Sequence, residues 1–470
     1  MFGKKPLEAS APSTRLTEPP APAALEAASL FVPEGDHALR RYLDVKLETA
    51  DYRAAKQALL AEMVDQIDFQ ALERMDAEMR RRKVHEASEK LLPNVPIPLT
   101  APQISLIKDQ AMDEILGFGP IEPLLKDADV NDIMINTHKR IYIERHGKIF
   151  LTDITFLSEE HLLGVIQRIV SRVGRRVDEA NPMVDARMPD GSRFNAIIPP
   201  LALDGALVSI RKFKKNKLSL EQYVDYGSLS PAMAKFLAIC GRVRMNIIIS
   251  GGTGSGKTTL LNALSAHIEA TERVITIEDA AELQLVQPHV LRLETRPASI
   301  EGKGEINQRQ LVRNALRMRP DRIILGEMRG DEAIDVLSAM NTGHDGSMAT
   351  IHANTPRDCL SRIENLVAMS SVSIGVNSLR YQIASALNLI VQIQRMRDGK
   401  RRIVQIEEIT GFDTQTIQSQ TLFQYRVKGV RADGTLDGEY EAMPFKPRMV
   451  EQAEYYGLVD ELVSCFPRPI

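Results

Sequence analysis

At 470 residues the chain exceeds what one hydrophobic core ordinarily serves, so it should divide into roughly two to four domains. Its 44% hydrophobic and 26% charged residues are those of a folded soluble protein, and a formal charge of -3 supplies no global basic field, which argues against nucleic acid as the main partner. Cys240, Cys359 and Cys465 lie far apart with no C-x-x-C pair, which argues against a zinc ribbon or a disulfide framework and fits a reducing compartment.

Lys4 and Lys5 open the chain, but no apolar core of a secretion signal follows, because Pro and Ala alternate with Glu and Thr from Pro6 to Ala28. Residues 1–37 read as a disordered Pro/Ala-rich tail with little to bury. Apolar stretches such as Leu387 to Ile393 fall far short of the ~18 residues a spanning helix needs, so membrane contact should be peripheral. Residues 38–95 read as a small helical domain: Leu39, Tyr42, Leu43, Lys46 and Leu47 follow helical spacing, and the basic run Arg80 to Lys83, set among acids, reads as a solvated face. Pro93, Pro96, Pro98 and Pro102 predict an extended linker.

Residues 96–213 predict a mixed α+β domain. It comprises a helix from Asp109 to Leu116, a turn over Gly117 to Pro123, and short antiparallel strands within Asp132 to Leu151, turning near His138 to Arg140 and at His146-Gly147. A helix from Glu159 to Val173, a hairpin turned at Pro189-Asp190-Gly191 and a strand from Leu207 to Phe213 complete it. Its end is the basic segment Lys212 to Lys217, and residues 214–228 form a linker. Ser230-Pro231 then marks a capped helix start. Residues 229–470 predict an α/β domain with a doubly wound sheet and a C-terminal extension. Its apolar strands Asn246 to Ser250, Arg273 to Ile277, Arg322 to Leu325 and Met348 to Ile351 alternate with helices, and a hairpin turned at Arg397-Asp398-Gly399-Lys400 follows.

Gly251, Gly252, Thr253, Gly254, Ser255, Gly256, Lys257, Thr258 and Thr259 match G-x-x-x-x-G-K-[ST] directly after an apolar strand and before a helix, the context that makes this motif specific. The glycines let backbone N–H groups fold around a β-phosphate, and the helix N-terminus adds its positive end. Lys257 should reach the β- and γ-phosphates of ATP and Thr258 should hold Mg2+. The strand Arg322 to Leu325 ends in Gly326-Glu327, and Glu327 is the carboxylate there that can polarise water. A neighbouring strand ends in Glu278 and Asp279, with Glu282 beyond, so these acids should line the same crevice. His344 and His352 bracket a short strand in Gly343 to Asn354 and are candidates for sensing a γ-phosphate; zinc would need further ligands that the spacing does not supply.

In this order the four elements, Gly251 to Thr259, Thr276-Ile277-Glu278-Asp279 with Glu282, Gly326-Glu327-Met328-Arg329-Gly330 and Gly343 to Asn354, resemble the secretion ATPase superfamily of type II and type IV secretion and type IV pili. The resemblance covers about residues 100 to 410. Met340 to Ser347 and Asn354-Thr355-Pro356-Arg357 are most similar to the CpaF branch, which powers tight-adherence (Flp) pili. The chain lacks the tetracysteine zinc element of many type II members and has Gly330 where they carry Asp, both of which favour that branch.

The resemblance implies that residues 96–213 are a PAS-like domain and residues 229–470 a RecA-like ATPase domain with a C-terminal extension, in a homo-hexamer in which the first α+β domain packs on its neighbour's ATPase core. It also implies that Arg193 and Arg211, by their positions in Asp190-Gly191-Ser192-Arg193 and Ser209-Ile210-Arg211-Lys212, reach the nucleotide. It further implies a cytoplasmic motor, peripheral to the inner membrane, that hydrolyses ATP and moves pilins through pilus platform proteins. A type IV secretion motor exporting protein or DNA would share every catalytic residue, and a nucleotide-gated scaffold without turnover is a reading of another class.

Overall fold

The computed structural model describes residues 49–68, 71–72, 74–145, 148–213, 218–296, 298, 303–370 and 374–467. The expected tail at 1–37, the helical spacing at 39–47, the turn at 146–147 and the part of the basic segment and linker at 214–217 lie outside them. Contacts divide the chain into two compact units, one reaching Val165 and including Leu203–Leu207, the other comprising Ile166–Ala202 and the residues described from Val208 onward. No helix among the described residues is long and apolar enough to cross a membrane.

The first unit begins with helices α1 (Ala50–Gln66) and α2 (Ala77–Leu91), whose starts are set by Thr49 and Asp76 accepting hydrogen bonds from the amides of Tyr52 and Met79. Helix α3 (Ala101–Leu116) opens earlier than the expected Asp109. Pro102 sits in its first turn, where the missing N–H costs nothing, and Thr100 and Gln103 close a capping box, so the proline-rich linker ends before it. Leu59, Met63, Val84, Leu91, Ile107 and Ala111 bury the shared face of the three helices. After the short helix α4 (Glu122–Lys126) come strands β1 (Val130–Thr137), β2 (Arg140–Arg145) and β3 (Lys148–Leu151), an antiparallel meander in which Ile133 pairs with Ile143 and Ile135 with Ile141. Helix α5 (Glu159–Arg172) follows.

The second unit carries the hairpin β4 (Met183–Arg187) and β5 (Arg193–Ile197), turned where sequence placed it, with Gly191 at a φ of +93°. Strand β6 (Leu207–Arg211) and helices α6 (Leu220–Asp225) and α7 (Pro231–Arg242) lead on, α7 capped by Ser230 as predicted. Six parallel strands form the centre: β7 (Ile247–Ser250), β8 (Val274–Glu278), β9 (Val290–Glu294), β10 (Arg322–Leu325), β11 (Met348–Ile351) and β12 (Leu389–Arg395). Three antiparallel strands, β13 (Arg401–Asp413), β14 (Thr416–Val430) and β15 (Leu436–Ala442), extend one edge, giving the order β15-β14-β13-β12-β7-β11-β10-β8-β9.

Both faces of the parallel part are covered, which is why its strands read as unbroken apolar runs. Ile247 and Ile249 point into a core with α7, α8 (Lys257–Ser265), α13 (Val450–Tyr455) and α14 (Val459–Val463). Ile248 points into the other core, with α9 (Gln308–Ala315), α10 (Glu332–Asn341), α11 (Pro356–Ala368) and α12 (Val376–Ala386). At the N-terminal end of β10, the fully buried Arg322 forks onto Glu272 at 2.7 and 2.6 Å and donates to the Gly241 carbonyl at 2.8 Å. That end of the sheet is therefore pinned, and the loops at the opposite end are left to form the site.

Candidate nucleotide-binding site

Strand β7 ends at Ser250 and α8 begins at Lys257, so Gly251 to Gly256 form the turn between them. Gly254 and Gly256 take φ values of +67° and +99°, which favour glycine, and Gly256 caps the helix. A Cβ on Gly251 would lie 2.3 Å from the Ile393 carbonyl oxygen, so the loop can lie against β12 only as glycine. Thr258 and Thr259 occupy the first turn of α8 and are half-buried, while Thr253 is exposed at the loop's tip.

Lys257 is buried and its Nζ donates to the carbonyls of Gly251 and Gly252 at 3.1 and 3.0 Å. The same Nζ lies 3.2 Å from His352 Nε2, which in turn lies 3.0 Å from Glu327 Oε1. A protonated Nε2 donates to Glu327; an unprotonated one accepts from Lys257. Burial, reinforced by Lys257, holds the His352 imidazole below its ordinary pKa, and burial also lowers that of Lys257.

Glu327 stands just past β10, where Gly326 N donates to the Ile277 carbonyl at 2.8 Å and Met328 N to the Thr350 carbonyl at 2.8 Å. Thr350 Oγ1 donates back to the Gly326 carbonyl at 2.7 Å, so neighbouring strands hold the carboxylate from both sides. Its Oε2 accepts from Arg329 Nη2 at 2.5 Å, and Arg329 Nη1 reaches Asp279 at 3.7 Å.

Glu278, at the end of β8, is 3% exposed, and its Oε2 accepts from the amides of Glu282 and Leu283, both at 2.8 Å. Burial pushes its carboxyl up to about 7 in spite of those two bonds. Because the folded value lies above the ordinary 4.5, the folded chain holds this proton more tightly than the unfolded one. Stability should be full below about pH 4.5 and decline by no more than about 4 kcal/mol as the pH rises through about 7, at 1.36 kcal/mol per unit. Thermal melts from about pH 5 to 8 check this: Glu278→Gln should flatten the decline, and an unchanged slope would place its cause elsewhere.

The structure thus gathers the loop from Gly251 to Thr259, Glu278, Glu327 and His352 at the C-terminal ends of adjacent parallel strands, the position where open α/β sheets bind ligands. His344 is not gathered with them. It precedes β11, in a loop whose Gly346 and Ser347 amides donate to Asn246 Oδ1 beside the start of β7. The four residues of β11, ~13 Å of extended chain, separate it from His352. Two histidines flanking a parallel strand fall at opposite sheet ends, so within one chain only His352 meets the phosphate loop.

Arg193 is half-buried and forks onto Asp185 at 2.7 and 3.3 Å, and its guanidinium also feels Arg329 and Glu282. Arg211 ends β6 and is exposed. Three arginines without an assigned role prove central. Arg329 bridges Glu327 and Asp279; Arg187 donates to Glu294 at 2.9 Å and to the Ala281 carbonyl at 3.2 Å, tying β4 to the acidic loop; Arg401 donates to the Gly254 carbonyl at 2.9 Å. Arg329 lay within a quoted motif, whereas Arg187 and Arg401 carried no local signal beyond hairpin turns.

Two buried side-chain oxygens here have no hydrogen-bond partner among the described residues: Ser255 Oγ within the loop and Glu278 Oε1 at the end of β8. The orphaned Ser255 hydroxyl, the glycine backbone packed at Gly251 and the helix start at Lys257, with Thr258 in its first turn, fit a phosphate chain and its Mg2+.

Fold and loop together define a P-loop protein on a doubly wound sheet. The family model described as "Type II/IV secretion system protein" matches residues 114–434, and the chain belongs to that family. It is 34% identical over 302 residues to the conjugal transfer protein TrbB of Rhizobium radiobacter, covering 63% of this chain and 88% of that protein. It is 31% identical over 326 residues to the type IV secretion system protein VirB11 of Bartonella quintana, covering 61% and 90%. Among solved structures, the VirB11 ATPase from the Brucella suis type IV secretion system, in complex with sulphate, is 27% identical with a TM-score of 0.34, covering 61% of this chain and 91% of that one.

Proposed function

We propose that the chain is an ATP-hydrolysing motor subunit of a type IV secretion or pilus assembly machine. The observation that carries this reading is the contiguous line Lys257, His352, Glu327 running from the phosphate loop to a strand-end carboxylate. Loop amides and the start of α8 receive the phosphates of ATP, and Lys257 exchanges its carbonyl contacts for the β- and γ-phosphates. Glu327, held between Arg329 and His352, orients the attacking water, with Glu278 a second carboxyl on the same face. His352, kept neutral by burial, donates one hydrogen bond toward the γ-phosphate side. Thr258 would hold Mg2+, which offsets phosphate charge during transfer.

A homo-hexamer completed by Arg193 and Arg211, peripheral to the inner membrane and coupled to pilus platform proteins, is the assembly this reading implies, with domain motion as its output. Similarity to the CpaF branch supports pilus extension or retraction. The conjugal transfer and VirB11 names of the relatives support export of protein or DNA by a type IV secretion motor at least as well. Copurification of the inner-membrane partner separates the two.

Lys257→Ala should weaken ATP binding by about 10- to 100-fold, the range for hydrogen bonds to a charged group, while the thermal melt stays cooperative. Equal ATP affinity in variant and parent, measured by titration calorimetry, would refute the phosphate-loop reading.

A further inference from the structure

Strand β12 pairs with β7 as far as Gln392 opposite Ser250. There β7 gives way to the phosphate loop, but β12 runs on to Arg395, so its last three residues extend ~10 Å along the loop's flank. The order β12-β7-β11-β10 puts this flank on the side of the loop away from His352 and Glu327.

Arg395 and Arg401 are register partners across the β12 and β13 hairpin, and both are exposed. Arg401 Nε donates to the Gly254 carbonyl at 2.9 Å, which fixes the guanidinium against the loop. A Cβ on Gly254 would lie 4.0 Å from Arg395 Nη1, and one on Gly256 would lie 3.3 Å from Arg401 Cδ.

The hairpin bearing them is rigid. Arg402 forks onto Asp398 at 3.0 and 2.8 Å, both side chains being almost wholly buried, and its guanidinium lies 5.2 Å from the centre of the Tyr425 ring. Asp398 also accepts from the amides of Lys400 and Leu436, each at 3.1 Å, and the Arg402 guanidinium holds its carboxyl well below the usual range. The two exposed guanidiniums are therefore presented on a fixed support, as a preorganised anion contact requires.

We propose that Arg395 and Arg401 form a second cationic wall of the nucleotide site and contact the phosphate chain of the nucleotide held by Gly251 to Thr259. The assignment rests on the phosphate-loop reading and adds to it a strand pair that belongs to no phosphate motif.

Titration calorimetry of the full chain with ADP and with inorganic tripolyphosphate, which has the phosphate chain and no base, tests it. Arg395→Gln and Arg401→Gln should each weaken both ligands about 10-fold and the double variant about 100-fold, while Arg397→Gln at the hairpin tip changes neither by more than about twofold. Weakened ADP with unchanged tripolyphosphate would overturn the proposal in favour of a contact to base or ribose. An unaffected double variant, or an equal loss in Arg397→Gln, would overturn it outright. Should Arg401→Gln lower the melting temperature by disturbing the loop, Arg395→Gln tests the same wall without removing the bond to Gly254. Failure of the phosphate-loop reading itself would show separately, as unchanged affinity for both ligands in Lys257→Ala.

Discussion

Glu327→Gln leaves nucleotide binding intact and lowers phosphate release by ~10²-fold or more, the loss typical of removing a positioned proton acceptor. The substitution keeps the side-chain volume between Arg329 and His352. An amide oxygen can still accept from Arg329, and an amide N–H can still donate to His352 Nε2, so the strand-end geometry is preserved while the carboxylate is lost. Binding should survive because the phosphate loop and Lys257 are untouched. Near-normal turnover would sink the assignment and move it to Glu278, whose carboxyl stands at the end of β8. Absence of phosphate release from the parent protein under assembling conditions would instead favour a nucleotide-gated scaffold.

Removing Arg193 or Arg211 should cripple turnover by ~10³-fold or more with ATP binding largely retained, because an arginine that stabilises the transferring phosphoryl group acts in the transition state. Arg193 is committed to Asp185 and feels Arg329 and Glu282 of its own chain, so its action within one subunit and across a subunit boundary must be separated. Mixing Glu327→Gln with Arg211→Ala does so. In a mixed ring some interfaces join an intact arginine to an intact glutamate, and activity should partly recover. Specific activity of the parent should also rise with protein concentration as rings form. No recovery in mixed rings shown to have assembled would refute action across the boundary and leave the phosphate loop assignment standing.

Where the chain carries its own local signal, expectation and structure coincide. Strands β10 and β11 have the bounds their apolar runs predicted, and Ser230 caps α7 through the bond from the Met233 amide. Strands β14 and β15 were illegible because their order comes from elsewhere. Only Leu422 and Phe423 of β14 are buried, and the strand is rich in Gln, Thr, Ser, Arg and Lys, so it has no alternation to read. It is aligned by its place beside β13 and by ion pairs to β15 such as Arg426 with Glu441 and Lys428 with Glu439. Strand β9 is half-exposed for the same reason: it is an edge, paired only to β8 in the sheet order.

The sequence by itself determined the shape of the glycine loop, since Gly251 to Thr259 is contiguous and its backbone geometry is local. It also determined that Glu278 and Glu327 end strands, since each follows an unbroken apolar run. Only the tertiary structure decided which polar groups meet there. The parallel pairing of β11 with β7 decides which histidine of the two that bracket β11 reaches the loop: His352 does, and His344 is left at the far end. The overrun of β12 beyond β7 brings Arg395 and Arg401 beside Gly254, although well over a hundred residues of chain lie between. Contacts of that kind depend on strand order and register, which arise when both faces of the sheet are buried, and no residue pattern within a single segment encodes them.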